Sequence, residues 1–167
     1  QQNGQPFFLN SYPKPAFGYL YVKDMLGDAL FTKALHTYIR QWRGKHPMPN
    51  DFFYSMNAGA GQNMNWFWKR WFFDDGVPDL AITAVTNSGN NYKALITNKG
   101  GKPVPVDLTI SFADGTTKKL HQSIAAWKAG NTTVTVPFMA TKKPTRIELG
   151  STYVPDSEPK DNVWKRE

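Results

Sequence analysis

The chain has 167 residues, 40% hydrophobic and 14% aromatic, with 20 Lys and Arg against 13 Asp and Glu for a formal net charge of +7. That length can bury a core as one domain or as two small ones. With no cysteine present, disulfides, thiolate catalysis and cysteine-ligated zinc are excluded. Lys and Arg nowhere run beyond two in a row, which points away from nucleic acid as a partner. No apolar run approaches the ~20 residues that a membrane-spanning helix needs. The opening "QQNGQPFFLN" lacks the basic and apolar regions of a signal peptide, and a start on Gln leads us to expect that the natural beginning lies upstream.

In chain order, Phe17, Leu20, Tyr21, Met25 and Leu26 fall near a 3.6-residue period, so a first helix is expected from Ala16 to Leu26, with Gly27 as its stop. Asp28 is expected to cap a second helix. In it Leu30, Phe31, Ala34, Leu35, Tyr38, Ile39 and Trp42 recur at three and four residues up to Gly44. Pro49 suits a first helical position and Asp51 a first-turn acid, giving a short third helix to about Asn57. Asn63 then caps "MNWFWKRWFFDDG", a helix apolar nearly all round, which expects neighbours on several sides.

Beyond "DDGVPD" the period falls to 2. The runs "LAITAVT", "YKALIT", "VDLTISF", "TKKLHQS", "TVTVPF" and "TRIELG" are short, rich in Thr, Val and Ile, and separated by turn signals. Asp114-Gly115 is the clearest hairpin turn, expected with positive φ at both positions. The fold class is therefore α+β: an antiparallel helical subdomain of about four helices (residues 1–80), then a small antiparallel immunoglobulin-like β-sandwich (81–150) and a polar C-terminal tail (151–167) tacked down by Val163 and Trp164. Of the 24 Phe, Tyr and Trp, 18 lie in residues 1–82, which marks the same change of character.

Chemistry is sparse in this pattern. His36, His46 and His121 lie far apart and show no metal-ligand spacing, so they read as surface or structural residues. Gly59 and Gly61 belong to a turn between helices rather than a phosphate cradle, and Asp74 and Asp75 are expected to be solvated or capping. Tyr19, Tyr21, Tyr38, Tyr54 and the tryptophans of the fourth helix sit at packing positions. On the pattern alone, Tyr12 is a helix-opening aromatic able to staple against Phe17, and the chain has no self-sufficient active site.

The stretches "YPKPAFGYLYVKDMLGDALFTKALHTYIRQWRGKHPMPNDF" and "MNWFWKRWFFDDGVPDLAI" together resemble the aminopeptidase N-like zinc metallopeptidases, the gluzincin aminopeptidases. The resemblance lies in the Tyr12-x-Lys14 opening, the Leu26-Gly27-Asp28-x-x-Phe31 link and Tyr38. It continues in the Pro49 to Phe52 step and the Trp66 to Trp71 helix closing on Gly76-Val77-Pro78. Residues 102–138 are similar to the sandwich that follows the catalytic domain in that family. Pro13 and Pro15 around Lys14 depart from the family pattern, as does Met48 where Ser or Thr would cap the third helix.

That resemblance implies a C-terminal fragment of a zinc-dependent aminopeptidase, whose HExxH segment and glutamate ligand would lie upstream in the same polypeptide. The parent would bind zinc and a peptide substrate, while this chain alone would be inactive and bind no metal. One family element maps here: Tyr12, implied to be catalytic, its neutral phenol donating a hydrogen bond to the oxyanion formed at the scissile carbonyl. Two other readings stand beside this one, a non-catalytic module binding a peptide, glycan or protein, and a degenerate peptidase relative. The lack of cysteine and the Thr- and Asn-rich sandwich favour a bacterial periplasmic, cell-surface or secreted location over the cytoplasm.

Overall fold

A computed structural model describes residues 12–166. The expectation drawn from "QQNGQPFFLN" lies outside the described residues. The chain divides into two compact units, Gln1–Asp74 and Asp75–Glu167.

The first unit holds α1 (Pro13–Leu26), α2 (Asp28–Trp42), α3 (Pro49–Ala60) and α4 (Asn65–Trp68), which widens into a π-helical turn over Lys69–Phe73. Helix α1 begins three residues earlier than its apolar period does, because Pro13 and Pro15 fit a first turn, whose N–H groups have no intrahelical acceptor. Gly27, at φ 75°, ends α1 and starts α2. Asp28, expected as the cap of α2, is instead its first residue and meets Lys23 at 3.2 Å. At α3 the missing Ser or Thr is offset by Asp51, whose carboxylate accepts the Met48 N–H at 2.8 Å.

Helices α2 and α3 pack closely where α3 lacks a side chain. A Cβ on Gly59 would lie 2.5 Å from Ala34 Cα and 2.9 Å from Thr37 Cβ. Two polar hubs, one buried and one half-buried, add specificity. Ser55 Oγ accepts from the Trp42 indole (3.1 Å) and lies 2.7 Å from Gln41 Oε1 and 2.6 Å from the Asp51 carbonyl, so its one proton has two acceptors to choose from. Asn57 Oδ1 accepts from the Met64 N–H (3.1 Å) and the Trp68 indole (3.0 Å), and Asn57 Nδ2 donates to Asn65 Oδ1 (2.7 Å). The fully buried Val22, Ala34, Met56, Met64 and Phe67 complete this core.

The second unit has β1 (Leu80–Ser88), β2 (Asn91–Asn98), β3 (Val106–Phe112), β4 (Thr117–Gln122), β5 (Thr133–Met139), β6 (Pro144–Leu149) and β7 (Val163–Lys165). All the pairings between them are antiparallel. One sheet is ordered β1-β2-β5 and the other β4-β3-β6-β7. This is an immunoglobulin-like sandwich in which the fourth strand pairs with the third, not with the fifth as in antibody constant domains. Alternate residues are buried: Tyr92, Ala94, Ile96, Val134, Val136 and Phe138 from one sheet, and Val106, Leu108, Ile110, Ile147 and Leu149 from the other. Trp127, in a short 3-10 turn, donates its indole N–H to the Val104 carbonyl at 2.8 Å within that core. Lys118 and Lys119 are exposed on edge strand β4, and Pro137 lies in edge strand β5.

Two features of this unit differ from the reading of the sequence. In the β3–β4 hairpin only Gly115 has positive φ (80°). Asp114 keeps ordinary backbone angles and accepts from the Thr116 N–H (3.1 Å) and hydroxyl (2.6 Å). Gly115 N–H bonds the Phe112 carbonyl, so the loop has three residues instead of a two-residue primed turn. The Lys142 ammonium, paired with Asp114, and these Thr116 donors hold the Asp114 carboxyl below the usual carboxylate range. In the closing segment, Val163 and Trp164 belong to β7, pairing with Glu148 and Ile147. Asp156 accepts the N–H groups of Leu80 and Glu158, both at 2.9 Å, so the segment before β7 is bonded to the sandwich too.

Because the Gly59 approach is to backbone, Gly59→Ala is expected to destabilise the protein by about 1–3 kcal/mol. Urea unfolding followed by tryptophan fluorescence should show a lower midpoint, whereas an alanine at exposed Ala58's neighbour Asn57 would act through the lost Asn57 hydrogen bonds instead.

Candidate functional site

Tyr12 stands immediately before α1 and is 64% exposed. Its carbonyl accepts the Ala16 N–H at 3.2 Å, and no side chain caps the helix. Pro13 and Pro15 leave Lys14 as the one amide donor among the first three helical residues, so the end needs little capping. The prolines therefore have a local role: they form and stiffen the turn that carries Tyr12.

The support behind that turn comes from the far end of the unit. Trp71, 2% exposed, donates its indole N–H to the Lys14 carbonyl at 2.8 Å. Gly18 makes room for the indole, since a Cβ there would lie 2.5 Å from Trp71 Nε1. Phe67 stacks on Trp71 at 5.8 Å, and Tyr21 packs against it in a T-shaped arrangement at 5.3 Å. The indole is thereby held by two rings. The π turn, closed by the Asp74 N–H to Lys69 carbonyl bond at 2.9 Å, sets where Trp71 falls.

Around this support lies an aromatic lattice. Phe53 has ring neighbours Trp68 (5.0 Å), Phe72 (5.1 Å) and Phe73 (5.7 Å), and Phe52 touches Tyr19 (5.3 Å) and Tyr38 (4.9 Å). Trp68 and Trp71 are core residues, not a binding wall. Tyr54 and Phe73, by contrast, are exposed and border a shallow groove of about 240 Å³ with Asn50, Asn65 and Lys69, over Phe53 and Trp68.

The histidines and the Asp74–Asp75 pair are spread over several elements. His36 and His46 are exposed on α2 and in the following loop. His121 Nδ1 lies 2.7 Å from Asp107 Oδ1, its cross-strand partner. Asp74 pairs with Lys69 at 2.6 Å, and Asp75 is exposed. Among the described residues no three His, Asp or Glu side chains come together as metal ligands. No helix among the described residues is long and apolar enough to cross a membrane. Sequence reasoning missed Trp71 and Gly18, whose relation to Tyr12 is tertiary and leaves no signal in spacing.

No protein-family model and no curated protein matches the chain. Among solved structures it is similar to Legionella pneumophila aminopeptidase A in complex with aspartic acid, at a TM-score of 0.64 and 19% identity. The match covers 83% of this chain and 16% of that one, so the chain corresponds to a small part of that protein's length. The likeness is one of fold, helices followed by two antiparallel sheets.

Burial, and secondarily the neighbouring Tyr38, raises the ionisation range of the Tyr19 phenol. A phenol that ionises later in the folded state makes the fold more proton-rich than the unfolded chain at alkaline pH. Its contribution is complete below the ordinary tyrosine range and is lost as pH rises through that range and beyond. Ultraviolet titration is expected to show a late-ionising component that Tyr19→Phe removes; an unchanged titration curve would contradict this.

Proposed function

We propose that this chain forms the distal helices and the following sandwich of a zinc-dependent aminopeptidase of the aminopeptidase N type. Such an enzyme removes N-terminal residues from peptides by metal-assisted hydrolysis. The observation that carries the reading is Tyr12: an exposed phenol on a helix start whose backbone is held from behind, in an aminopeptidase-like fold. Zinc would polarise the scissile carbonyl and activate water, but its ligands and the general base would come from residues outside this chain. The part derived for this chain is the Tyr12 O–H, donating to the oxyanion that develops on the carbonyl oxygen. A preorganised donor of this kind contributes ~3 kcal/mol in the transition state. Taken alone, the chain would hydrolyse no peptide and hold no zinc tightly.

The groove bordered by Tyr54 and Phe73 favours a second reading, a non-catalytic module that binds a peptide or protein. The coding frame before Gln1 separates the two. An HExxH followed about twenty residues later by a glutamate supports the enzyme; a start codon and signal sequence directly before Gln1 sinks it. In the full-length enzyme Tyr12→Phe is expected to lower turnover about a hundredfold or more while zinc content stays the same. Steady-state kinetics with an aminoacyl anilide, alongside metal analysis, checks this.

A further inference from the structure

We propose that Trp71 is a positioning residue for that reaction, its indole N–H holding the first turn of α1 so that the Tyr12 phenol is presented at a fixed place. The inference rests on the catalytic reading of Tyr12 and adds a second residue to it.

The argument begins with the contrast between the two ends of the contact. Tyr12 is exposed, and an exposed side chain before a helix ordinarily shares the fraying of that helix end. Here the backbone behind it does not have that freedom. The Lys14 carbonyl accepts the Trp71 indole N–H at 2.8 Å, and Pro13, between the held residue and Tyr12, has its φ fixed near about −65°. Tyr12 contributes its own carbonyl to the same turn through the Ala16 N–H. One buried donor therefore locks the turn from which the phenol projects.

The donor itself is built to reach that carbonyl. Trp71 lies in the middle of the π turn, where the wider ring of i→i+5 bonding displaces it from its place on a regular α-helix. Gly18 is the complementary feature: any larger residue would meet the indole before the hydrogen bond formed. Phe67 and Tyr21 keep the ring from turning. Packing alone would be met by any large apolar ring at position 71. The N–H, aimed at a helical carbonyl two residues from Tyr12, is the part that packing does not explain. Displacement of a catalytic group by ~1 Å can lower a rate about a hundredfold, so the value of holding this turn is kinetic.

The test uses the full-length polypeptide and a double-mutant cycle. Trp71→Phe, which removes the N–H and keeps an aromatic ring, is expected to lower kcat about tenfold with KM and zinc content unchanged. In the Tyr12→Phe background the same change should have no further effect, because Trp71 acts through Tyr12. A purely structural tryptophan would give losses that multiply. If Trp71→Phe does not fold, 3-benzothienylalanine incorporated at position 71 keeps the bicyclic shape without the donor and gives the same cycle. Multiplying losses, or an unchanged kcat in the folded variant, overturn the proposal and leave the Tyr12 reading standing. Wild-type turnover in Tyr12→Phe overturns both, through Tyr12 itself.

Discussion

A single hydrogen bond, from the indole of Trp71 to the carbonyl of Lys14, joins the last helical turn of the first unit to its first, across 57 residues of sequence. Helix α1 has need of it. Its buried residues are Gly18, Tyr21 and Val22, while Leu20 is half exposed, so its apolar face is narrow. A helix with so little to bury depends on particular contacts for its orientation. The bond, the gap left at Gly18 and the rings of Tyr21 and Phe67 supply them together.

The rest of the unit is arranged to deliver that indole. Asn57 holds the start of α4 through the Met64 N–H and the Trp68 indole, and α4 then opens into the π turn. Ser55 performs a similar service between α2 and α3 through Trp42 and Gln41. Aromatic surface provides most of the favourable burial, but rings of similar size could pack in many ways. The indole donors of Trp42, Trp68 and Trp71, each with one acceptor, select among those packings, since a misplaced ring would leave one of these N–H groups without a partner.

The elements were largely legible in the sequence, and the reasons are local. Helices α2 and α3 declare themselves by period and by Pro49, and the strands by alternation between turn residues. The π turn was not legible: "WFWKRWFF" is too uniformly apolar for its period to report how wide the turn is. Nor was the place of β4, because strand order depends on pairing at long range rather than on the strand's own residues. At Asp114-Gly115 the dipeptide located the hairpin, but the loop length, set by Phe112 and Thr116, decided its geometry. The candidate site divides the same way. Tyr12 stands out through a family resemblance in the sequence around it, and Trp71 does not, because a bond between residues 14 and 71 exists only once the chain has folded.

Two of the four outer strands of the sandwich, β4 with its exposed lysines and β5 with its proline, bear on how the protein behaves in company. A free strand edge is a template on which a strand of another molecule can add. On β5, Pro137 has no N–H to offer such a strand, and on β4 an incoming copy would bring its own Lys118 and Lys119 against the same charges. Those two borders thus resist the growth of one sandwich onto the next in concentrated solution, without any change to the interior.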